Sequence, residues 1–310
     1  MESLAIIAEF NPFHTGHARL IRQVRQAAGP EAAIVIIMSG AFVQRGEPAF
    51  FDKWHRAAWA IDGGADVVIE LPAVYALSSA AGFAQGGVTL AARLGCQALA
   101  CGVEGGTAAD FLSLARRSEG LTACLKAAKK SSAGQQLTDA LMAAAPDEAR
   151  LLQQPNALLA FEYARAMLKQ EQPLTFLPLP RQGRHGDTGL GAAFASASAL
   201  RQAMRCSGTA AACRPYLTAA SLAGAEDQLA QGAFTDYGRY GDFVASHNRL
   251  LTPDQLRSLP AFTEGFENRW HRAFMESGSY DQALRGITNR RSAYIRLCRV
   301  GAFSPLQRSR

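Results

Sequence analysis

The chain has 310 residues, enough for one large α/β domain with an appendage or for two domains. Hydrophobic residues make up 48% and charged residues 19%, which excludes a disordered chain and predicts a soluble globular protein with a sizeable core. Lys and Arg outnumber Asp and Glu by 32 to 26, a net charge of +6 that suits a polyanionic partner without requiring one. The cysteines Cys96, Cys101, Cys124, Cys206, Cys213 and Cys298 are scattered with no zinc-type spacing and read as reduced thiols. The first apolar run ends at Glu9, too short for a signal peptide or a membrane span, so the expected location is cytoplasmic.

In chain order, Leu4 to Ala8 reads as a buried parallel strand that runs into the turn-forming Asn11, Pro12, His14 and Gly16, and a helix follows from about His17 to Ala27. Ala33 to Met38 is a second strand, Lys53 to Ile61 a helix, and Val67 to Leu71 a third strand closed by Pro72. Ala76 to Leu94 is expected to be helical, and Gln97 to Cys101 the fourth strand. Strands alternating with helices at this spacing predict a parallel sheet covered on both faces, with its ligand site at the C-terminal ends of the strands. A helical insertion is expected over about 110–150. Leu174 to Leu179 is the fifth strand, Arg181 to Gly191 a polar glycine-rich loop, and Ser196 to Met204 a helix with Ser196 as its N-cap. From about residue 210 only helices are expected, which divides the chain into 1–209 and 210–310.

The strongest local signal is Asn11-Pro12-Phe13-His14-Thr15-Gly16-His17, directly after the first strand. Two histidines flanking a glycine at a helix start have a physical use. The glycine admits phosphate close to the backbone, the helix N-terminus supplies N–H donors and positive potential, and the imidazoles donate to phosphate oxygens as charge builds in the transition state. The plainer alternative is two helix-capping or core histidines.

His14-Thr15-Gly16-His17 is similar to the HxGH signature of the nucleotidyltransferase superfamily. A longer likeness is carried by Ile6 to Phe10, Met38 to Pro48, Asp52-Lys53-Trp54, Gly64 to Pro72, Pro155 to Leu159, Pro180-Arg181 and Ser196 to Arg201. Over residues 1 to about 300 the chain resembles the tRNA(Met) cytidine acetate ligases, with the family's C-terminal segment absent. The resemblance implies a Rossmann-like parallel sheet of the HxGH nucleotidyltransferase type with an appended C-terminal helical region. It also implies an ATP-dependent enzyme that activates acetate as acetyl-adenylate and acetylates the wobble cytidine of elongator tRNA(Met), with Mg2+ expected on the triphosphate.

Carried over residue by residue, the resemblance makes His14 and His17 catalytic. It gives ATP the loop formed by Ile7, Ala8, Glu9, Phe10, Asn11, Pro12, Phe13, His14, Thr15, Gly16, His17, Ala18, Arg19 and Leu20, together with Gly102, Asn156 and Arg181. Ser196, Ser198 and Arg201 suit the β- and γ-phosphates, although an ordinary N-cap also explains the serine, and Asn156 after Pro155 reads equally as a helix N-cap. Gln44, Arg45, Asp52 and Lys53 suit a carboxylate pocket, an RNA contact or an ordinary surface loop. Arg290, Arg291, Tyr294, Arg296 and Arg299 suit RNA backbone contact and base stacking, or else a solvated helix face. Two other readings stay open: transfer of AMP or CMP to a phosphorylated metabolite, and nucleotide or RNA binding without catalysis. The absent segment is expected to weaken tRNA engagement and to leave the adenylation core intact.

Overall fold

The computed structural model describes residues 2–125, 133–181, 190, 195–259, 262, 265–289 and 292–306. Its strands are β1 (Ser3–Ala8), β2 (Ala33–Ser39), β3 (Phe42–Val43), β4 (Glu47–Pro48), β5 (Val67–Leu71), β6 (Ala98–Val103) and β7 (Thr175–Pro180). Five of them form a parallel sheet in the order β5-β2-β1-β6-β7. The fold is therefore the expected α/β class. The order reverses between β1 and β6, so their connections leave toward opposite faces and open a crevice at their C-terminal ends.

The helices up to the last strand are α1 (Thr15–Ala28), α2 (Lys53–Asp62), α3 (Ala73–Ala76), α4 (Ala80–Arg93), α5 (Ala108–Leu125), α6 (Ala133–Ala144), α7 (Pro146–Ala149) and α8 (Pro155–Met167). After β7 come α9 (Ala197–Ser207), α10 (Ala219–Ala230), α11 (Tyr237–Leu250), α12 (Pro253–Arg257), α13 (Phe266–Glu276), α14 (Tyr280–Ile287) and α15 (Tyr294–Phe303). None of the described helices is long and apolar enough to cross a membrane.

Strand alternation explains why the central runs are apolar without a break. Ala5, Ile7, Val35, Ile37, Leu99 and Cys101 face a core completed by Phe83, Val88, Phe111, Ala160 and Phe161. Leu4, Ile6, Ile34, Ile36, Ala98 and Ala100 face the opposite core with Ile21, Val24, Trp59, Leu200 and Met204. The second core continues past residue 210, because Cys213, Tyr216, Leu217, Ala225 and Leu229 join it. A separate cluster gathers Ala245, Leu256, Trp270, Phe274, Leu284, Leu297 and Val300. The helical region is tied to the sheet by the β3–β4 hairpin. Gly46, at φ 82°, brings its Cα so close to α15 that a Cβ would lie 2.3 Å from the Arg299 amide nitrogen, and Arg299 Nε donates to Gln44 O at 2.8 Å.

Local differences from the sequence reading have local causes. The helical stretch expected from Ala76 to Leu94 is mostly α4, which starts only at Ala80, where Ser79 accepts from the Gly82 amide as its N-cap, while Ala76 ends the short α3. The loop after β2 contains the short β3–β4 hairpin. Asn156 is not an N-cap: Gln154 holds that position, Pro155 is the first helical residue, and the Asn156 side chain is engaged elsewhere. Ser196 caps α9 as expected, accepting from the Ala199 amide at 3.1 Å. Most of the Arg181 to Gly191 loop lies outside the described residues.

Candidate functional site

The loop from Glu9 to His14 leaves the C-terminal end of β1 and enters α1 within a few residues. Phe10 takes φ 47°, uncommon for an aromatic residue, and its buried ring packs edge-on against Phe13 at 4.9 Å. The Asn11–Pro12 peptide is cis. Ile7, Phe10, Phe13 and Ala18 turn their side chains into the cores, so along this loop they can offer a ligand only backbone. Thr15 is also committed, its Oγ1 donating to Tyr216 O at 3.0 Å.

Two arginines hold the loop from outside it. Arg201 Nη1 donates to Asn11 O at 2.7 Å, and its other terminal nitrogen reaches Glu47 at 3.2 Å and Ser198 Oγ at 3.4 Å. Arg56, fully buried, donates to the carbonyls of Phe51, Glu9, Ser39 and Gly40, which ties the ends of β1 and β2 together. Burial pushes its guanidinium down to about 10. Arg56 is not among the site residues expected from the sequence. The available signal was its place three and four residues before Trp59 and Ala60, on the helix face that had to be apolar. Asp52, considered above for a carboxylate pocket or an RNA contact, is the N-cap of α2, bonded to the amides of Trp54 and His55.

His14 and His17 cap α1 reciprocally. His14 Nδ1 accepts from the Gly16 amide at 3.1 Å, and His17 Nδ1 accepts from the His14 amide at 3.3 Å. A ring nitrogen that accepts carries no proton, so each neutral imidazole keeps its hydrogen on Nε2. The rings stack with centroids 3.6 Å apart, and His17 also lies 4.7 Å from the Phe10 ring. Burial, and then the Arg181 charge, push His14 down to about 3. Burial, His14 and Arg181 hold His17 well below its ordinary value. The pair is thus two neutral N–H donors at a helix N-terminus, beside a cation.

The remaining nucleotide candidates gather at the ends of β6 and β7. The Arg181 amide donates to Val103 O at 2.9 Å and extends the β6–β7 ladder by one residue. A Cβ on Gly102 would sit 3.6 Å from Arg181 Cβ and 4.0 Å from Leu20 Cδ2, ordinary contacts that the fold itself would accept. Two residues beyond Gly102, Glu104 accepts from Asn156 Nδ2. His14, His17, Gly102, Arg181 and Asn156 therefore share the crevice end of the sheet.

The C-terminal candidates are more dispersed. Arg290 and Arg291 lie outside the described residues. Arg296 is exposed on α15, and Arg299 is drawn to the hairpin at Gln44. Tyr294 donates its hydroxyl to Asp281 at 2.6 Å, and Arg285 lies 5.2 Å over its ring, so one candidate stacking face is covered.

Residues 1–307 match the family model described as HIGH Nucleotidyl Transferase. The tRNA(Met) cytidine acetate ligase of Pediococcus pentosaceus is 35% identical over 96% of this chain and 77% of its own length, and that of Latilactobacillus sakei is 36% identical over 97% and 75%. The chain belongs to the tRNA(Met) cytidine acetate ligase family. The apo crystal structure of Thermotoga maritima TmcAL superimposes with a TM-score of 0.89 at 30% identity, covering 98% of this chain and 75% of that one. A second form of the same protein, bound with alpha-thio ATP, superimposes with a TM-score of 0.86. As a member of a ligase family within the nucleotidyl transferases, the chain is an ATP-dependent enzyme.

Proposed function

We propose that the chain activates acetate with ATP and transfers the acetyl group to the wobble cytidine of elongator tRNA(Met). The observation that carries the first half is the His14–His17 pair, two neutral Nε2–H donors fixed at the N-terminus of α1 next to Arg181. An acetate oxygen attacks the α-phosphorus, pyrophosphate leaves, and the extra charge on the α-phosphate oxygens meets donors already in place. Neutral imidazoles suit this role because they neither give up their proton to the phosphate nor need to be charged beforehand. Gly102 leaves room at the strand end, Arg181 supplies fixed positive charge, and Arg56 and Arg201 keep the loop in position.

In the second half-reaction the cytidine N4 amine attacks the acetyl carbonyl and AMP leaves. The names of the relatives support this acceptor. Mg2+ would accompany the triphosphate. Among the described residues no three His, Cys, Asp or Glu are grouped to hold a metal, so phosphate oxygens and water would supply most of its ligands. A cytoplasmic location fits a tRNA substrate.

The test is a reaction with labelled acetate, ATP and elongator tRNA(Met), followed by nuclease digestion. N4-acetylcytidine at the wobble position, with one AMP and one pyrophosphate per acetyl group, is the expected result. AMP retained in a product would point instead to a nucleotidyl transfer onto another acceptor.

A further inference from the structure

The contact between Glu104 and Asn156 lies at the nucleotide end of the crevice, and the histidine chemistry does not use it. Glu104 follows β6 directly, and Asn156 is the second residue of α8, whose Nδ2 donates to Glu104 Oε1. A carboxylate accepts and does not donate, so the side of the amide turned toward Glu104 has to be its NH2 group. That fixes the polarity of Asn156. Its Oδ1 points away from Glu104 and has no partner among the described residues, and Glu104 Oε2 is buried without one. A cavity of 260 Å³ opens at this corner, with Gly105, Leu151 and Ala157 on its apolar side and Glu104, Asp147, Arg150 and Gln154 on its polar side. A partly apolar cavity beside a corner with spare acceptors suits a flat heteroaromatic ring that carries an amine.

Building on the ATP-dependent reading above, we propose that Glu104 is a positioning residue that locks the Asn156 amide in the orientation that reads adenine. In that orientation Oδ1 accepts from the exocyclic amine at C6, and the second Nδ2 hydrogen is left for an adjacent ring nitrogen. A purine with an oxo group at C6 sets an acceptor against Oδ1. Turning the amide over to suit it would set Oδ1 against the Glu104 carboxylate, with two acceptors face to face. Discrimination between amino- and oxo-purines thus resides in Glu104, although only Asn156 touches the base.

The experiment measures dissociation constants by calorimetry for ATP, ITP and 2′-deoxyATP on the full chain, on Glu104→Gln and on Asn156→Ala. The unsubstituted chain is expected to prefer ATP over ITP by about ten- to a hundredfold, the worth of one bidentate amide–adenine pair. In Glu104→Gln the new side-chain amide can accept or donate, so Asn156 is free to turn and the ATP-to-ITP ratio should fall to within about threefold, with the ATP-to-2′-deoxyATP ratio unchanged. Asn156→Ala should lose the same preference, and Glu104→Ala, which likewise removes the carboxylate that fixes the amide, carries the test if Glu104→Gln does not fold. An unchanged ATP-to-ITP ratio, or an equal loss for all three nucleotides, would overturn the proposal. So would a change confined to 2′-deoxyATP, which would assign the corner to the ribose. A wild-type chain that binds none of the three would overturn the ATP reading itself.

Discussion

The rings of His14 and His17 stack 3.6 Å apart with 20° between their planes, and each gives its Nδ1 to a backbone amide of the loop they share. One atom of each imidazole therefore does structural work and the opposite atom is left for a ligand. Substitution can separate the two roles. Asn is a strong N-cap, so His14→Asn should keep the helix start while removing the Nε2 donor, whereas His14→Ala should also lose about 1 kcal/mol of stability. Both should lower pyrophosphate exchange by about a hundredfold or more with little change in ATP affinity, as should His17→Ala. Exchange near the wild-type rate in His14→Asn would leave His14 as a cap and nothing more.

Acid should destabilise the chain in a way that traces to the same pair. The folded state holds His14 at about 3 against an ordinary 6.5, so the unfolded chain takes up a proton that the folded chain refuses. The stability this group contributes is fully present above pH 6.5 and is lost as pH falls toward 3, at about 1.4 kcal/mol per pH unit. His17 adds in the same direction. Urea midpoints measured between about pH 7 and pH 4.5 should fall less steeply for His14→Asn than for the wild type. Parallel lines would contradict the assignment.

Gly102 offers a converse test, in which the fold is indifferent and the ligand is not. A Cβ there meets only ordinary contacts at 3.6 and 4.0 Å. Gly102→Ala should melt within a degree or two of the wild type yet bind ATP about tenfold or more weakly, the usual size of an overpacking penalty. Unchanged ATP affinity would move the nucleotide away from the end of β6.

Arg56 should behave in the opposite way. Replacing it with Met removes the partner of four carbonyls in a buried place, each costing on the order of 1 kcal/mol or more when left unsatisfied. Thermal unfolding should show one of the larger losses of any single substitution, and nucleotide binding should suffer because Glu9 O and Gly40 O anchor the site loops. A stable, ATP-binding Arg56→Met chain would show the clamp to be dispensable.

Much of this was legible in the sequence because it is encoded locally. The five apolar runs marked the parallel strands, and the glycine between two histidines marked the helix start. What was not legible depends on pairings across long separations. Arg56 falls on the buried face of α2, but what it holds there is set only when β1 and β2 bring the carbonyls of Glu9 and Ser39 around it. Asn156 after Pro155 looks like a cap until β6 sets Glu104 beside it. Arg299 and Tyr294 look like free RNA contacts until the hairpin and α14 engage them.

The central claim is that this crevice joins ATP to acetate, and acetate-dependent exchange of labelled pyrophosphate into ATP measures that step without tRNA. Exchange should require acetate, decline from acetate through propionate to butyrate, and fall by about a hundredfold or more in His17→Ala. Exchange that is absent with acetate in a folded, ATP-binding chain, or that proceeds equally well without any carboxylate, would contradict it.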